Sequence, residues 1–216
     1  MIIQPAKRLR IVEEYYFSKK LQQIREMNLN GANVLNLGIG DPDLSPSDAV
    51  IEKIIESVQH PKHHGYQSYR GIPELRKAIA TWSKIIYRIN LNSETEILPL
   101  LGSKEGITHI SMAFLNPGDE VLVPDPGYPT YSSVTELVGA KNIYYDLDEK
   151  NNWSPNLKKI SKKISTKTKM MWLNYPNMPT GTKATDKIFQ SAIDFAYRFN
   201  ILICHDNPYS TILKDE

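Results

Sequence analysis

From Ile97 onward the sequence repeats one pattern, a short strand-like run followed by a longer stretch with helical periodicity. The runs fall at Ile97–Leu101, Glu120–Val123, Ile143–Leu147, Met170–Leu173 and Ile201–Cys204. The stretches between them lie at about Lys104–Leu115, Pro129–Val138, Pro155–Ile164 and Thr185–Phe199. Connections of this length are not tight hairpins; they cross over and return the next strand parallel to the last. Sheets built this way are covered by helices, which buries their strands on both sides. The expected fold class is therefore α/β, a mainly parallel sheet with helices on both faces.

The segment before Ile97 lacks this regularity. Leu9, Val12, Tyr16, Leu21, Ile24 and Met27 form a loose helical stripe from Arg8 to Asn30 that ends at Gly31. Val34–Ile39 is expected as a short strand leading into the turn Gly40-Asp-Pro-Asp43. Ser45-Pro-Ser-Asp48 offers a hydroxyl cap, an early proline and a carboxylate three residues after the cap, which together start a helix. That helix runs through Ile51, Ile54, Ile55 and Val58; another begins at Pro73 and is expected to bury Leu75, Ile79, Trp82 and Ile86.

Composition narrows the function classes. A chain of 216 residues holds one large domain, or one plus part of another. With 26 basic against 24 acidic residues, spread along the chain, nucleic acid is not an expected partner. The one basic run, Lys158–Lys169, reads as the solvated face of a helix and the loop after it. No window approaches a membrane span, so no membrane partner is expected, and the apolar stretch at the N-terminus is too short for a signal peptide. The single cysteine, Cys204, excludes an intrachain disulfide framework and suits a reducing compartment, with the cytoplasm as the expected location. His60, His63 and His64 cluster without a nearby carboxylate, so no metal site is expected. Cys204 and His205 are adjacent in an extended run and point to opposite faces, which excludes a nucleophile–base pair.

In parallel sheets of this kind a ligand sits outside the carboxyl ends of the strands. The expected strand ends open into four chemically dense loops: Gly102-Ser-Lys-Glu-Gly106, Asp125-Pro-Gly-Tyr128, Asn174–Gly181 and Asp206–Tyr209. At the first, the N–H groups of a helix N-terminus favour an anion, and Ser103 and Lys104 can add donors. Its spacing matches neither a Walker loop nor a dinucleotide fingerprint; a phosphate monoester on a small cofactor suits it, although a plain glycine turn would look alike. Tyr128 can stack on a planar heterocycle or act as a hydrophobic lid on the next helix. The amide of Asn177 can donate to a phenolate oxygen or bond within its own turn. Asp206 needs a cationic partner, which a protonated pyridine nitrogen would provide, unless it caps the next turn. Tyr209 can share the phenolic oxygen with Asn177.

With these residues in hand, the chain resembles the fold-type I, class I/II aminotransferases that use pyridoxal 5'-phosphate. The motif N-x-P-T-G, Asn177 to Gly181, followed in order by Asp206 and Tyr209, carries the resemblance, together with Gly65-Tyr-Gln-Ser-Tyr-Arg-Gly71 and Leu75-Arg76. It covers nearly the whole chain, from the helix before Gly31. The resemblance implies that Asp206 pairs with the pyridine nitrogen while Asn177 and Tyr209 bind the phenolic oxygen, with Asp206 and Tyr209 as the catalytic pair. It implies that Tyr128 stacks on the ring, that Gly102, Ser103 and Lys104 occupy the phosphate loop, and that Tyr66 reaches the cofactor phosphate of the partner subunit. Gly40 looks like the substrate-side glycine of the small domain.

At the level of the whole protein, the resemblance implies a cytoplasmic homodimer of amino-acid metabolism, in a biosynthetic process, that moves an amino group between an amino acid and a 2-oxo acid. Residues 1–44 would form an N-terminal helix and small-domain segment, and residues 45–216 a large cofactor-binding domain incomplete at its C-terminus. The family's Schiff-base lysine lies beyond the Asp206 position, and Lys183 and Lys214 lack its motif context. The span is therefore expected to be a piece of a longer enzyme and inactive alone; a truncated product and a non-catalytic cofactor-binding relic are the other readings. A lyase or decarboxylase on the same scaffold is the alternative reaction, since fold and cofactor do not fix it. Aspartate, diaminopimelate, alanine and methionine are all tenable substrates.

Overall fold

The computed structural model describes residues 3, 4, 6–11, 16–38, 40 and 42–212. Val12, Ile39, Asp41 and Lys214, named above, lie outside the described residues. The chain divides into two compact units, residues 14–99 and residues 100–216 together with 1–13.

Among the described residues of 14–99 there are three α-helices, α1 (Tyr16–Leu29), α2 (Asp48–Gln59) and α3 (Pro73–Tyr87), and a 3₁₀ turn at Pro61–His64. Pro73 opens α3 because its fixed φ suits the first turn and its missing N–H is not needed there. The expected start of the second helix at Ser45 is corrected: α2 begins at Asp48, with Ser47 before its first turn and no side-chain cap hydrogen bond. The expected strand from Val34 is also corrected, since residues 34–38 are irregular. The Val34 N–H donates to Asn28 Oδ1 at 2.5 Å, so a side chain takes the group a strand ladder would need.

The apolar stripe of α3 is more open than expected, with Leu75, Trp82 and Ile86 44%, 45% and 48% exposed. A helical stripe is buried only under a second layer. Among the described residues of this unit only Arg76 and Ser83 are buried. Arg76 ties the start of α3 to the segment after it: Nε donates to Ser93 O at 2.9 Å, Nη1 to Gly71 O at 2.5 Å and Nη2 to Glu94 Oε2 at 3.0 Å. A buried guanidinium is tolerable because its donors are engaged.

The other unit is built on a parallel sheet. Its elements run α4 (Ser103–Phe114), β1 (Glu120–Asp125), α5 (Pro129–Leu137), β2 (Lys141–Asp146), α6 (Leu157–Ile160), β3 (Thr168–Asn174), α7 (Asp186–Phe199) and β4 (Leu202–Asp206). The strands lie in the order β2-β1-β3-β4, and each neighbouring pair is parallel. Side chains alternate across the sheet as the pleat requires. Val121, Val123, Met170, Trp172 and Cys204 pack on one face with Ile107 of α4 and Tyr131 and Val134 of α5. Leu122, Met171 and Leu173 pack on the other with Ile160 of α6 and Ala192 and Phe195 of α7. Helices on both faces follow from the strand order: α5 leads from β1 to β2 in one direction along the sheet and α7 from β3 to β4 in the other, so crossovers of one hand place them on opposite faces.

Two expected elements differ here. Ile97–Leu101 is not a strand: Pro99 cannot donate to a ladder, and Leu98, Leu100 and Leu101 are 54%, 41% and 98% exposed. The helix expected over Pro155–Ile164 shrinks to the single turn of α6. Hydroxyls compete for the backbone that follows, with Ser161 Oγ donating to Lys158 O at 3.0 Å and the Ser165 N–H to Thr168 Oγ1 at 3.1 Å. Within the basic run Lys163 Nζ donates to Tyr144 O at 2.6 Å.

Candidate functional site

The strand order reverses between β1 and β3, and the carboxyl ends of the strands at such a reversal are the usual ligand position of these sheets. Asn174 closes β3 and Asp206 closes β4, and the two are paired in register. Asn174, 2% exposed, donates from Nδ2 to Asp206 O at 3.0 Å and accepts at Oδ1 from the Met178 N–H at 2.7 Å. One buried amide thus joins both strand ends to the turn that follows β3. Sequence reasoning gave Asn174 no role; the available signal was a polar residue closing the apolar run Met170–Leu173.

Asn177 is also 2% exposed, and its amide bonds within its own loop. Its Nδ2 donates to Asn174 O at 3.3 Å, and its Oδ1 accepts from Thr180 Oγ1 at 2.8 Å. The main chain closes the same turn, with the Gly181 N–H on Asn177 O at 2.7 Å and the Asn177 N–H on Thr182 O at 2.8 Å. Gly181 has φ +74°, a conformation that suits glycine. The N-x-P-T-G motif therefore fixes its own asparagine beside the end of β3.

Asp206 is half-buried, and its Oδ2 accepts from the Tyr131 hydroxyl at 2.7 Å. Tyr131, on the first turn of α5, is fully buried and stacks on Trp172 with ring centroids 4.8 Å apart at 11°. Burial first, and then the Asp206 hydrogen bond, push its phenol far above the ordinary tyrosine range, so it stays a neutral donor. The sequence reading missed Tyr131. Its signal was the spacing of three from Tyr128, which puts two tyrosines on one side of a helix start.

Tyr128 caps α5, is half-buried and meets Tyr131 edge-on at 5.6 Å. Lys104 Nζ lies 6.0 Å from its ring centroid, within cation–π range. The loop carrying Tyr128 needs Gly127, because a Cβ there would meet Pro124 O at 2.5 Å. Gly102 caps α4 at φ +102°, and Ser103 and Lys104 are the first, exposed residues of that helix. Tyr209 lies in the turn after β4 and is 38% exposed. Tyr66 and Gly40 belong to the unit of residues 14–99, where both are exposed.

Among the remaining candidates, Cys204 packs into the core on the α5 side, and burial pushes its thiol up to about 12. His205 Nε2 lies 2.9 Å from Tyr175 O, and its ring meets Phe189 edge-on at 4.9 Å, on the α7 side. His60 and His63 stack at 4.2 Å, while His64 Nε2 lies 2.8 Å from Val58 O. Among the described residues no group of three or more His, Cys, Asp or Glu could hold a metal ion, and no helix is long and apolar enough to cross a membrane.

Comparison with known proteins bears on this site. The family model for aminotransferase class I and II matches residues 32–216. An LL-diaminopimelate aminotransferase of Halothermothrix orenii is 42% identical over 213 residues, covering 99% of this chain and 55% of that protein. The enzyme of the same name from Dehalococcoides mccartyi is 40% identical over 210 residues, covering 97% of this chain and 54% of its own. The solved structure of an alanine aminotransferase from Pyrococcus furiosus superposes with a TM-score of 0.91 at 30% identity, covering 99% of this chain and 54% of that one. The chain thus spans about half the length of the relatives it matches. A family match from residue 32 to residue 216, on a parallel sheet with this strand-end chemistry, settles the kinship: the chain belongs to the class I and II aminotransferases, whose cofactor is pyridoxal 5'-phosphate.

Proposed function

We propose that these residues form the cofactor-binding part of an enzyme that moves an amino group between an amino acid and a 2-oxo acid. The observation that carries this reading is Asp206 at the end of β4, its carboxylate held by the Tyr131 hydroxyl and its main-chain carbonyl by Asn174, in a chain of aminotransferase kinship. The donor set fits pyridoxal 5'-phosphate. A half-buried carboxylate suits a protonated ring nitrogen, and the N-terminus of α4 with Ser103 and Lys104 suits a phosphate. Gly102 turns the chain into that helix at φ +102°, a conformation that suits glycine. Tyr128 would lie against the ring. Asn177 gives one amide hydrogen to Asn174, and the second would go with the Tyr209 hydroxyl to the phenolic oxygen.

When bound, the cofactor supplies the electron sink for the reaction. The chain's own work is to keep a negative charge beside the ring nitrogen, to hold the ring plane and to anchor the phosphate. Asp206 and Tyr209 act in catalysis. Tyr66 would complete the phosphate site of a second subunit and Gly40 would face the substrate. Residues 1–44 would serve the small domain and 45–216 the large one. In this reading the lysine that attaches the cofactor is not among these 216 residues, which alone would bind without transferring amino groups. A reducing cytoplasm suits the free thiol of Cys204.

Relatives named for LL-diaminopimelate make it the first substrate to test. The complete protein, loaded with pyridoxal phosphate and given LL-diaminopimelate, aspartate, alanine or methionine with 2-oxoglutarate, should form glutamate from at least one of them. Ammonia or carbon dioxide in place of glutamate would refute the reading in favour of a lyase or decarboxylase. The same protein should sediment as a homodimer, the commonest symmetric assembly. A fully active monomer would contradict the role given to Tyr66.

A further inference from the structure

We propose that Tyr131 is a positioning residue for the cofactor's ring nitrogen and that it acts through the Asp206 carboxylate; this rests on the function proposed above. The Tyr131 hydroxyl lies 2.7 Å from Asp206 Oδ2, the separation of a charge-assisted hydrogen bond. The donor is itself immobilised. Its ring is fully buried, lies flat on Trp172 at 4.8 Å and meets Tyr128 edge-on at 5.6 Å. Its carbonyl accepts from Thr135 Oγ1 at 2.7 Å, one helical turn on.

The Asp206 main chain is fixed independently, by the β3–β4 register and by Asn174 Nδ2 on its carbonyl at 3.0 Å. What remains to be set is the rotation of the carboxylate about its two side-chain bonds, and the Tyr131 hydroxyl sets it. With Oδ2 engaged, Oδ1 becomes the oxygen presented to a cation. Burial and the carboxylate keep the phenol protonated, so the donor does not titrate away. Tyr131 also touches Tyr128, so one residue aligns both the ring-stacking group and the ring-nitrogen carboxylate.

The test compares two ligands on the complete protein: pyridoxamine 5'-phosphate, and its 1-deaza analogue, in which CH replaces the ring nitrogen. Tyr131→Phe keeps the buried ring and removes only the hydroxyl. It should weaken pyridoxamine phosphate binding about tenfold, the effect of losing a hydrogen bond to a charged group, and leave the deaza analogue within about twofold. In an Asp206→Asn background the same substitution should change the ratio of the two affinities by less than about twofold, because the coupled partner is already altered. Equal weakening of both ligands means that the hydroxyl serves packing alone, and overturns the proposal. An undiminished effect in the Asp206→Asn background overturns it too, since Tyr131 would then not act through Asp206. Wild-type protein that binds neither ligand would instead refute the cofactor site, and this proposal with it.

Discussion

Asp206→Ala in the complete protein should lower transamination about a hundredfold or more while leaving measurable cofactor binding. The magnitude is that of removing a preorganised electrostatic group from a reacting centre. The phosphate anchor proposed at the start of α4 is untouched by the substitution, so the cofactor should still be held, though with its ring nitrogen no longer faced by a negative charge. The variant also strips Tyr131 of its acceptor. A buried hydroxyl left without a partner costs about 1–3 kcal/mol, so the folded fraction must be measured alongside the rate. Turnover at the wild-type level would remove Asp206 from the mechanism.

Trp172→Ala should destabilise the fold by about 3–5 kcal/mol, the range for truncating a buried large aromatic residue. Trp172 is 3% exposed, lies in the middle of β3 opposite Cys204 and carries the stacked ring of Tyr131. The hydrogen bond from the Tyr145 hydroxyl to the Trp172 carbonyl at 2.7 Å is made by the main chain and survives the change. The loss therefore falls on the α4–α5 face of the sheet, beneath the site, and cofactor affinity should drop as Tyr131 loosens. Urea unfolding at equilibrium measures it. A change below about 1 kcal/mol would mean that the α5 layer does not depend on this residue.

The central sheet was legible because its signal is redundant. Met170–Leu173 and Ile201–Cys204 are apolar at every position, and the helices between strands carry their own periodicity and caps, such as Thr185, whose Oγ1 accepts from the Ile188 N–H at 3.3 Å. Ile97–Leu101 looked the same locally, but a run becomes a strand only where a neighbour completes its ladder, and Pro99 withholds a donor. The helix expected over Pro155–Ile164 stopped early for a related reason: beyond α6 the Ser165 N–H goes to Thr168 Oγ1 at 3.1 Å and not to a helical carbonyl.

At the site, the loops were readable from residue type. Asn177, Asp206 and Tyr128 are chemically unusual for strand ends, and the strand-end rule gathers them. Their supports were not readable. Tyr131 reaches Asp206 across 75 residues of sequence, and Asn174 reaches it across 32. Tyr131 looks like an ordinary core aromatic until the fold brings a carboxylate to its hydroxyl. Tyr66 and Gly40 owe their assigned roles to the family resemblance, since their exposure marks no chemistry.

A crystal structure of the complete protein with pyridoxal 5'-phosphate tests the central claim most directly. The expected result places an Asp206 carboxylate oxygen about 2.7–3.2 Å from the ring nitrogen, with Tyr131 still on the other oxygen. It also places Asn177 and Tyr209 at the phenolic oxygen and the start of α4 at the phosphate. A cofactor bound elsewhere, or bound here with its ring nitrogen turned away from Asp206, would contradict the account.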